Sequence, residues 1–308
     1  MTQTPSTSDT DTDTAPPHAL GQADRDRFLA DGVVAPIDVM SEAEAGAILA
    51  EVERIESRSG GRLSGLVRAK PHLLLPFLWD VLHDPRIVDR VESLLGPDIL
   101  CIGASMIDKP AGSDAYVAWH QDATFWGLSS TEGATAWLAL TPATPESGCM
   151  DVVPGTQGQQ LEHFDTRDEL NMLGARESVR AEVDLSRALP LALRPGQMSL
   201  HHPLVLHGSG PNRADHRRLG FVIRYVAASV RQDGGSATLV RGRNLSGMAL
   251  EQAPEGEMQP DALRRHGEII RQGAGVIRRQ KAAHLEATGQ DTGENGAPDG
   301  DQDKAEGM

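Results

Sequence analysis

The sequence has little of what nucleic-acid binding, a membrane span or a disulfide framework would need. Its 29 Lys and Arg residues stand against 44 Asp and Glu residues, a net charge of −15, whereas a nucleic-acid groove needs a concentrated basic surface. No run approaches the roughly 18 consecutive apolar residues of a spanning helix. Only Cys101 and Cys149 are present, too few for a disulfide framework. We therefore expect neither nucleic-acid nor membrane partners.

The amino terminus also lacks a basic segment followed by an apolar one, so no secretory signal is predicted. Together with the low cysteine content, this favours a reducing, cytoplasmic location. A chain of 308 residues, 39% of them hydrophobic, can bury a sizeable core. The sequence gives no basis for an oligomeric state.

Negative charge is concentrated at the two ends of the chain. Residues 1–20 and 284–308 together hold nine of the fifteen net negative charges and few large apolar residues. Such composition is typical of segments that cannot bury enough surface to fold. We predict disordered acidic tails at 1–20 and 286–308 around a single domain at 21–285, which no linker or internal repeat divides.

Within the domain, the pattern changes near residue 99. The earlier part reads as helical, and Ser41 followed by Glu44 matches a capping box at a helix start. Beyond it, short runs rich in Val, Leu and Ile alternate with Gly and Pro turns, which predicts strands. We expect a mainly β fold, a barrel or double sheet with helices packed outside it. The predicted strands are 99–108, 116–122, 134–140, 149–153, 189–193, 197–201, 203–207 and 218–227, and a last helix spans 260–285.

The segment 116–122 carries the strongest chemical signal. On a strand His120 and Asp122 point the same way, so an imidazole and a carboxylate lie side by side. With His207 from a later strand they would form the two-histidine, one-carboxylate set of non-haem Fe(II) oxygenases. The same donors suit Co(II), Ni(II) or Zn(II), and a buried His bonded to an Asp is also a common structural arrangement.

Arg218, eleven residues after His207, strengthens the metal hypothesis. A buried guanidinium beside a metal is costly unless an anion pairs with it. A dicarboxylate cosubstrate would supply that anion through two parallel hydrogen bonds.

These motifs, in this order, resemble the phytanoyl-CoA dioxygenase family over roughly residues 22–230. That family consists of Fe(II)- and 2-oxoglutarate-dependent oxygenases with a double-stranded β-helix, or jelly-roll, cupin-like barrel buttressed by helices. The resemblance is carried by Lys109-Pro110, Trp119-His120-Gln121-Asp122, Glu146-Ser147-Gly148-Cys149, Val152-Val153-Pro154-Gly155-Thr156, His207-Gly208-Ser209-Gly210-Pro211-Asn212 and Arg218.

The resemblance assigns roles to individual residues. It implies that His120, Asp122 and His207 bind iron, while Arg218 and Ser209 hold the distal carboxylate of 2-oxoglutarate. It implies a hydroxylase that uses O2 and releases succinate and CO2. A carboxylate at Asp122 favours hydroxylation over chlorination, since related halogenases have a small residue there. Lys109, Gln121 and Trp137 are expected to line the cosubstrate or substrate pocket. Gln157 replaces the usual histidine after Pro-Gly-Thr, at a position that is not a metal ligand.

Other residues are candidates for substrate contact. If the strand is regular, Arg224 shares the inward face of Arg218 and would anchor an anionic group or pair with an internal acid. Phe125 and Trp126 are either a pocket wall or core. His201 and His202 are poor rival ligands, with surface or supporting roles expected.

The loops 58–68 and 239–244 are candidate lids, with arginines that favour a small polar or anionic substrate. The alternatives are a non-catalytic barrel and a metal-dependent isomerase or hydrolase of cupin-like fold.

Overall fold

The computed structural model describes residues 15–63, 65–180 and 184–288. This part of the chain contains five α-helices and thirteen strands. In chain order they are α1 (Gln22–Asp31), β1 (Val33–Asp38), α2 (Glu42–Arg58), α3 (Pro76–Leu82), α4 (Pro85–Leu95), β2 (Ile99–Lys109), β3 (Val117–His120), β4 (Gly133–Ala139), β5 (Met150–Val153), β6 (His163–Asp165), β7 (Glu177–Val179), β8 (Leu189–Leu191), β9 (Gln197–His201), β10 (Leu206–Ser209), β11 (Arg218–Ala227), β12 (Ser236–Arg241), β13 (Ala249–Leu250) and α5 (Pro260–Ala287).

Local signals set the helix boundaries. Ser41 caps α2 through a capping box with Glu44, as predicted. α4 begins at Pro85, and Asp84 accepts a hydrogen bond from Arg86 N. α1 stops at Gly32, whose φ of 76° is a left-handed conformation that favours glycine. Among the described residues, no helix is long and apolar enough to cross a membrane.

Two sheets form the body of the domain. The large sheet has the order β1-β9-β4-β11-β2-β12-β13, and the small sheet has the order β3-β10-β5-β8. β6 and β7 form a separate hairpin-like pair. The mainly β fold with helices is therefore confirmed.

Successive side chains of β11 point to opposite faces of the large sheet, one facing the core and the other facing a cavity. Leu219, Phe221 and Ile223 lie in the main hydrophobic core, together with buried residues of α2, α3 and α4. Arg218 and Arg224 point to the opposite side, where they line a cavity that residues of the small sheet also border. The helices thus cover one face, and the other face is left for the site.

β1 was not predicted, because Pro36 interrupts its apolar run. The structure accommodates the proline by placing β1 at the sheet edge, where its pairing with β9 shifts register between Val34 and Ile37.

The predicted amino-terminal tail is too long. Leu20 is buried, and its N–H donates to Ser93 Oγ, so the chain already packs on the domain before residue 21. At the other end, α5 continues to Ala287, two residues into the predicted carboxy-terminal tail. Residues 1–14 and 289–308 of the predicted tails lie outside the described residues.

Candidate metal and cosubstrate site

Two adjacent strands of the small sheet bring the three predicted metal ligands together. His207 on β10 is directly opposite His120 on β3, and Asp122 begins the single helical turn that follows β3. Asp122 Oδ1 lies 3.5 Å from His120 Nε2 and 4.0 Å from His207 Nε2. One ligand atom from each residue lies within 4.8 Å of the others. A single metal ion can therefore contact all three.

The backbone fixes which nitrogen each histidine offers. His120 Nδ1 lies 2.9 Å from Ala118 O, and His207 Nδ1 lies 3.0 Å from Val205 O. A carbonyl oxygen only accepts, so both Nδ1 atoms carry the proton and both Nε2 atoms keep a free lone pair. This orientation of histidine is usual in metal sites, and the donor set fits Fe(II).

The two oxygens of Asp122 have different surroundings. Thr135 Oγ1 donates to Oδ2 at 3.1 Å, and His201 Nε2 lies 3.5 Å from the same oxygen. Oδ1 faces the two ligand histidines. Burial would raise the pKa of Asp122, but the adjacent imidazoles of His120 and His201 hold this pKa well below its usual range. The carboxylate is therefore ionised, with Oδ1 turned toward the metal position.

Two buried basic residues lie at another part of the site: Arg218 lines the cavity, and Lys109 bonds to Ser209 of its wall. Lys109 and Arg218 are paired across β2 and β11 and are both buried. Lys109 Nζ donates to Ser209 O at 3.1 Å, to Ser209 Oγ at 2.6 Å and to Gly210 O. Arg218 donates to Ser209 Oγ at 3.4 Å and lies over Trp137, with its carbon Cζ 5.2 Å from the ring centre.

These two cations lack an acidic partner. Among the described residues no carboxylate comes within 4.0 Å of either, and Arg218 Nε has no hydrogen-bond partner there. Burial and the charge of Arg218 lower the pKa of Lys109 to about 6, and burial lowers the pKa of Arg218 to about 10. Unpaired buried cations are unfavourable. A dianionic cosubstrate would supply what this end of the cavity lacks.

The predicted pocket residues divide into two groups. Trp137 lines the cavity, and its indole covers Gly220, where an added Cβ would come within 2.3 Å of the ring. Lys109 and Gln121 are not among its lining residues, and Lys109 is connected to it only through Ser209. Gln121 is turned away from it. Its amide donates to Gln159 O and Leu204 O and accepts from Leu161 N, because residue 121 points to the opposite side from its two neighbours. Gln121 therefore holds backbone groups together and does not make the predicted contact with the cosubstrate.

The three substrate candidates also separate. Phe125 is buried and makes edge contacts with the rings of His163 and His284, away from the cavity lining. Arg224 lines the cavity, as predicted, and its guanidinium lies over Trp126 at 5.5 Å. Phe125 is therefore core, while Trp126 is next to the cavity through Arg224.

His201 has a closer relation to the site than we expected. It is 1% exposed, it lines the cavity beside Asp122, and neither ring nitrogen has a hydrogen-bond partner in the described structure. The sequence could have predicted this position of His201, because alternation along β9 places His201 on the same inward face as Gln197 and Ser199. His202 instead accepts from Leu204 N.

Neither predicted lid borders the cavity. Arg62, in the loop 58–68, pairs with Asp108 on the helical side of the large sheet, and Arg241 pairs with Asp89 and Glu92 of α4. Ser64 lies outside the described residues. The segment between β6 and β7 contributes Met172 and Leu173 to the cavity instead. This cover could not be predicted, since its position depends on tertiary contacts.

Comparison with known proteins agrees with this geometry. The family model of phytanoyl-CoA dioxygenase matches residues 28–220. A probable alpha-ketoglutarate-dependent hypophosphite dioxygenase of Stutzerimonas stutzeri is 29% identical over 208 residues, which cover 65% of this chain and 72% of that protein. The peroxisomal phytanoyl-CoA dioxygenase of Rattus norvegicus is 30% identical over 152 residues, 48% of this chain and 45% of that protein. The chain thus spans about half the length of several curated relatives.

Solved structures give the same result. The non-heme monooxygenase ThoJ, in its apo form, is 33% identical with a TM-score of 0.75, covering 84% of this chain and 99% of that chain. CytC3 with Fe(II) and alpha-ketoglutarate is 24% identical with a TM-score of 0.60, covering 79% and 97%, and supports the fold alone. The chain belongs to the phytanoyl-CoA dioxygenase family and is an iron- and 2-oxoglutarate-dependent dioxygenase.

Proposed function

We propose that this enzyme hydroxylates an unactivated C–H bond of a small polar or anionic molecule. One oxygen atom of O2 enters the product, and the other enters succinate as 2-oxoglutarate loses CO2. The observation that carries the proposal is one cavity lined by both the triad of His120, Asp122 and His207 and the guanidinium of Arg218, which has no acidic partner among the described residues. Lys109 adds a second basic group through its hydrogen bond to Ser209, which also lines the cavity. A 2-oxoglutarate-dependent oxygenase needs both a metal and an anionic cosubstrate in one cavity, and this arrangement can hold both.

The residues of the triad would hold iron through two imidazole nitrogens and one carboxylate oxygen. Iron(II) in such a site supplies the activation of O2 and the oxidising power for C–H cleavage. The protein fixes the donors beforehand: the Nδ1 protons are bound to Ala118 O and Val205 O, and Thr135 holds the outer oxygen of Asp122. Little reorganisation is needed when the metal binds.

In this proposal Arg218 and Ser209 bind the distal carboxylate of 2-oxoglutarate, and Lys109 acts on it through Ser209. Ser209 accepts a hydrogen bond from Lys109, so its own hydroxyl proton is free to be donated to that carboxylate. Trp137 closes the cavity beside Arg218, and apolar side chains such as Val222 and Met150 line the rest. These groups exclude water, which strengthens the charge pairing inside.

We further infer that the two sheets form a double-stranded β-helix, which the cavity shared by both sheets supports. A single domain remains the proposal, widened from the predicted 21–285 to include Leu20 and the end of α5 at Ala287. The cytoplasm remains the predicted location, supported by Cys101 and Cys149, which are both free and buried. The relative from Stutzerimonas stutzeri, whose name includes hypophosphite, supports a small anionic substrate.

A metal-dependent isomerase or hydrolase would use the triad but would leave Lys109 and Arg218 without an anion. Succinate release distinguishes the two reactions. With Fe(II), 2-oxoglutarate, O2 and ascorbate as the two-electron reductant but no other substrate, we expect slow formation of one succinate per CO2, with the second oxygen atom leaving as water. The matched variants are His207→Ala, which should give none, and His202→Gln, which should retain the reaction. A folded, iron-loaded wild type that forms no succinate would contradict the proposal.

A further inference from the structure

Arg224 lies on the cavity face of β11 at the end opposite Arg218. The two residues are six positions apart on one strand, so their backbones lie about 20 Å apart. Arg224 is paired with Thr135 of β4, the residue that donates to Asp122. Arg224 is therefore level with the metal ligands, whereas Arg218 marks the far end of the proposed cosubstrate position.

The guanidinium of Arg224 is only partly satisfied by the protein. Its one side-chain hydrogen bond goes to Ser105 Oγ at 3.1 Å, and its other contact is the face of Trp126. Throughout residues 15–63, 65–180 and 184–288, no carboxylate lies within 4.0 Å of it. Arg217, by contrast, pairs with both Glu56 and Asp108. Arg224 thus retains donors that no acidic side chain of the described protein occupies.

Charge balance gives the same indication. In the complete site an iron(II) ion and a 2-oxoglutarate dianion cancel each other. Among the residues that line the cavity, Arg218 and Arg224 then face the single negative charge of Asp122, which leaves one net positive charge at the lining. Asp122 cannot also neutralise Arg224 by direct pairing, since Oδ2 faces Thr135 and His201 and Oδ1 faces the ligand histidines. A singly charged anion would complete the balance.

We propose that Arg224 is the specificity residue of the substrate site and that it binds an oxyanion group of the primary substrate. Ser105 orients the guanidinium, and Trp126 supports its face. A carboxylate and an oxyanion of phosphorus both fit, because a guanidinium offers two parallel N–H donors to either. The C–H bond to be oxidised then lies between this anchor and the metal. The inference rests on the proposed function, because it takes the cosubstrate to occupy the Arg218 end.

The test measures anion binding to the complete enzyme without turnover. Under anaerobic conditions, the protein is loaded with Fe(II) and saturating 2-oxoglutarate and titrated by calorimetry with butyrate, with propylphosphonate and with neutral butyramide. The variants are Arg224→Gln, which removes the charge, and Arg224→Lys, which restores it without the paired donors. Arg231→Gln is the matched control, since Arg231 is exposed just beyond the same strand.

We expect at least one of the two anions to bind wild type and Arg231→Gln equally, and butyramide not to bind. Arg224→Gln should weaken anion binding about tenfold or more, with partial recovery in Arg224→Lys. The tighter-binding anion identifies the oxyanion class. The 2-oxoglutarate affinity should be unchanged in Arg224→Gln.

Three results would overturn the inference: neither anion binds wild type at millimolar concentration, butyramide binds equally well, or Arg224→Gln binds the anions like wild type. Normal 2-oxoglutarate binding in such a case would leave the proposed function standing. Failure of 2-oxoglutarate to bind the iron-loaded wild type would instead remove the proposed function, and this inference with it.

Discussion

The two sheets prepare their parts of the site in different ways. On the small sheet, His120 and His207 are each oriented by a carbonyl two residues earlier in the chain, Ala118 O and Val205 O. On the large sheet, Arg218 lines the cavity and the neighbouring Lys109 bonds to Ser209 of its wall, and neither has an acidic partner among the described residues. The metal end is therefore structurally complete before the metal binds, whereas the cosubstrate end is electrostatically incomplete until an anion binds.

The largest effect should come from removing a ligand at the metal end of the site. His207→Ala removes one of three ligands, so we expect tight Fe(II) binding and all succinate formation to be lost. His202→Gln tests whether this loss is specific, because His202 bonds only the local backbone at Leu204 N. Metal content after gel filtration measures both variants. Equal iron loss in the two variants would contradict the assigned ligand set.

Next in size is the loss of the cosubstrate anchor. Arg218→Gln should weaken 2-oxoglutarate binding about 100-fold, because truncating one side of a buried charge pair costs about 3 kcal/mol. Fe(II) affinity should change little. The adjacent Arg217→Gln provides the comparison, since Arg217 pairs with Glu56 and Asp108 on the helical side of the sheet. It should lower the free energy of unfolding while leaving 2-oxoglutarate affinity intact.

A smaller effect is expected from the packing beside Arg218. In Gly220→Ala the new Cβ would meet the Trp137 ring at 2.3 Å, so the indole must move from its place beside Arg218. We expect about 1–3 kcal/mol of lost stability and weaker 2-oxoglutarate binding. Gly103→Ala is the control, because its nearest contact would be an ordinary 3.8 Å to Arg224 Cδ. Thermal unfolding and calorimetry measure both; equal effects would contradict this packing role.

The smallest expected effect is the uptake of a proton by Lys109 when 2-oxoglutarate binds. Burial and Arg218 lower the pKa of Lys109 to about 6, so Lys109 is mostly neutral in the free protein above that pH. A bound carboxylate favours the ammonium form and raises this pKa, so 2-oxoglutarate binding should take up a proton. Affinity should accordingly fall as pH rises above about 6.

Calorimetry at about pH 8, in buffers with different ionisation enthalpies, measures this uptake. Lys109→Met should abolish it. No difference in proton uptake between wild type and Lys109→Met would contradict a change in the protonation of Lys109 on binding.

Sequence reasoning succeeded where local geometry decides. The spacing of His120 and Asp122 places both on one side of the chain, and the even spacing from Arg218 to Arg224 places both on the cavity face. It failed for Gln121, because a residue between two ligands points to the opposite side and binds backbone there. The cover by Met172 and Leu173 depends on how the β6–β7 segment packs, which no local pattern indicates.

The most direct test of the account is anaerobic visible spectroscopy. Chelation of Fe(II) by 2-oxoglutarate should give a weak charge-transfer band in wild type and none in His207→Ala. Arg218→Gln should reach the same band only at about 100-fold higher 2-oxoglutarate. A folded, iron-loaded wild type without the band, or an Arg218→Gln titration that matches wild type, would contradict the division between a metal end and a cosubstrate end.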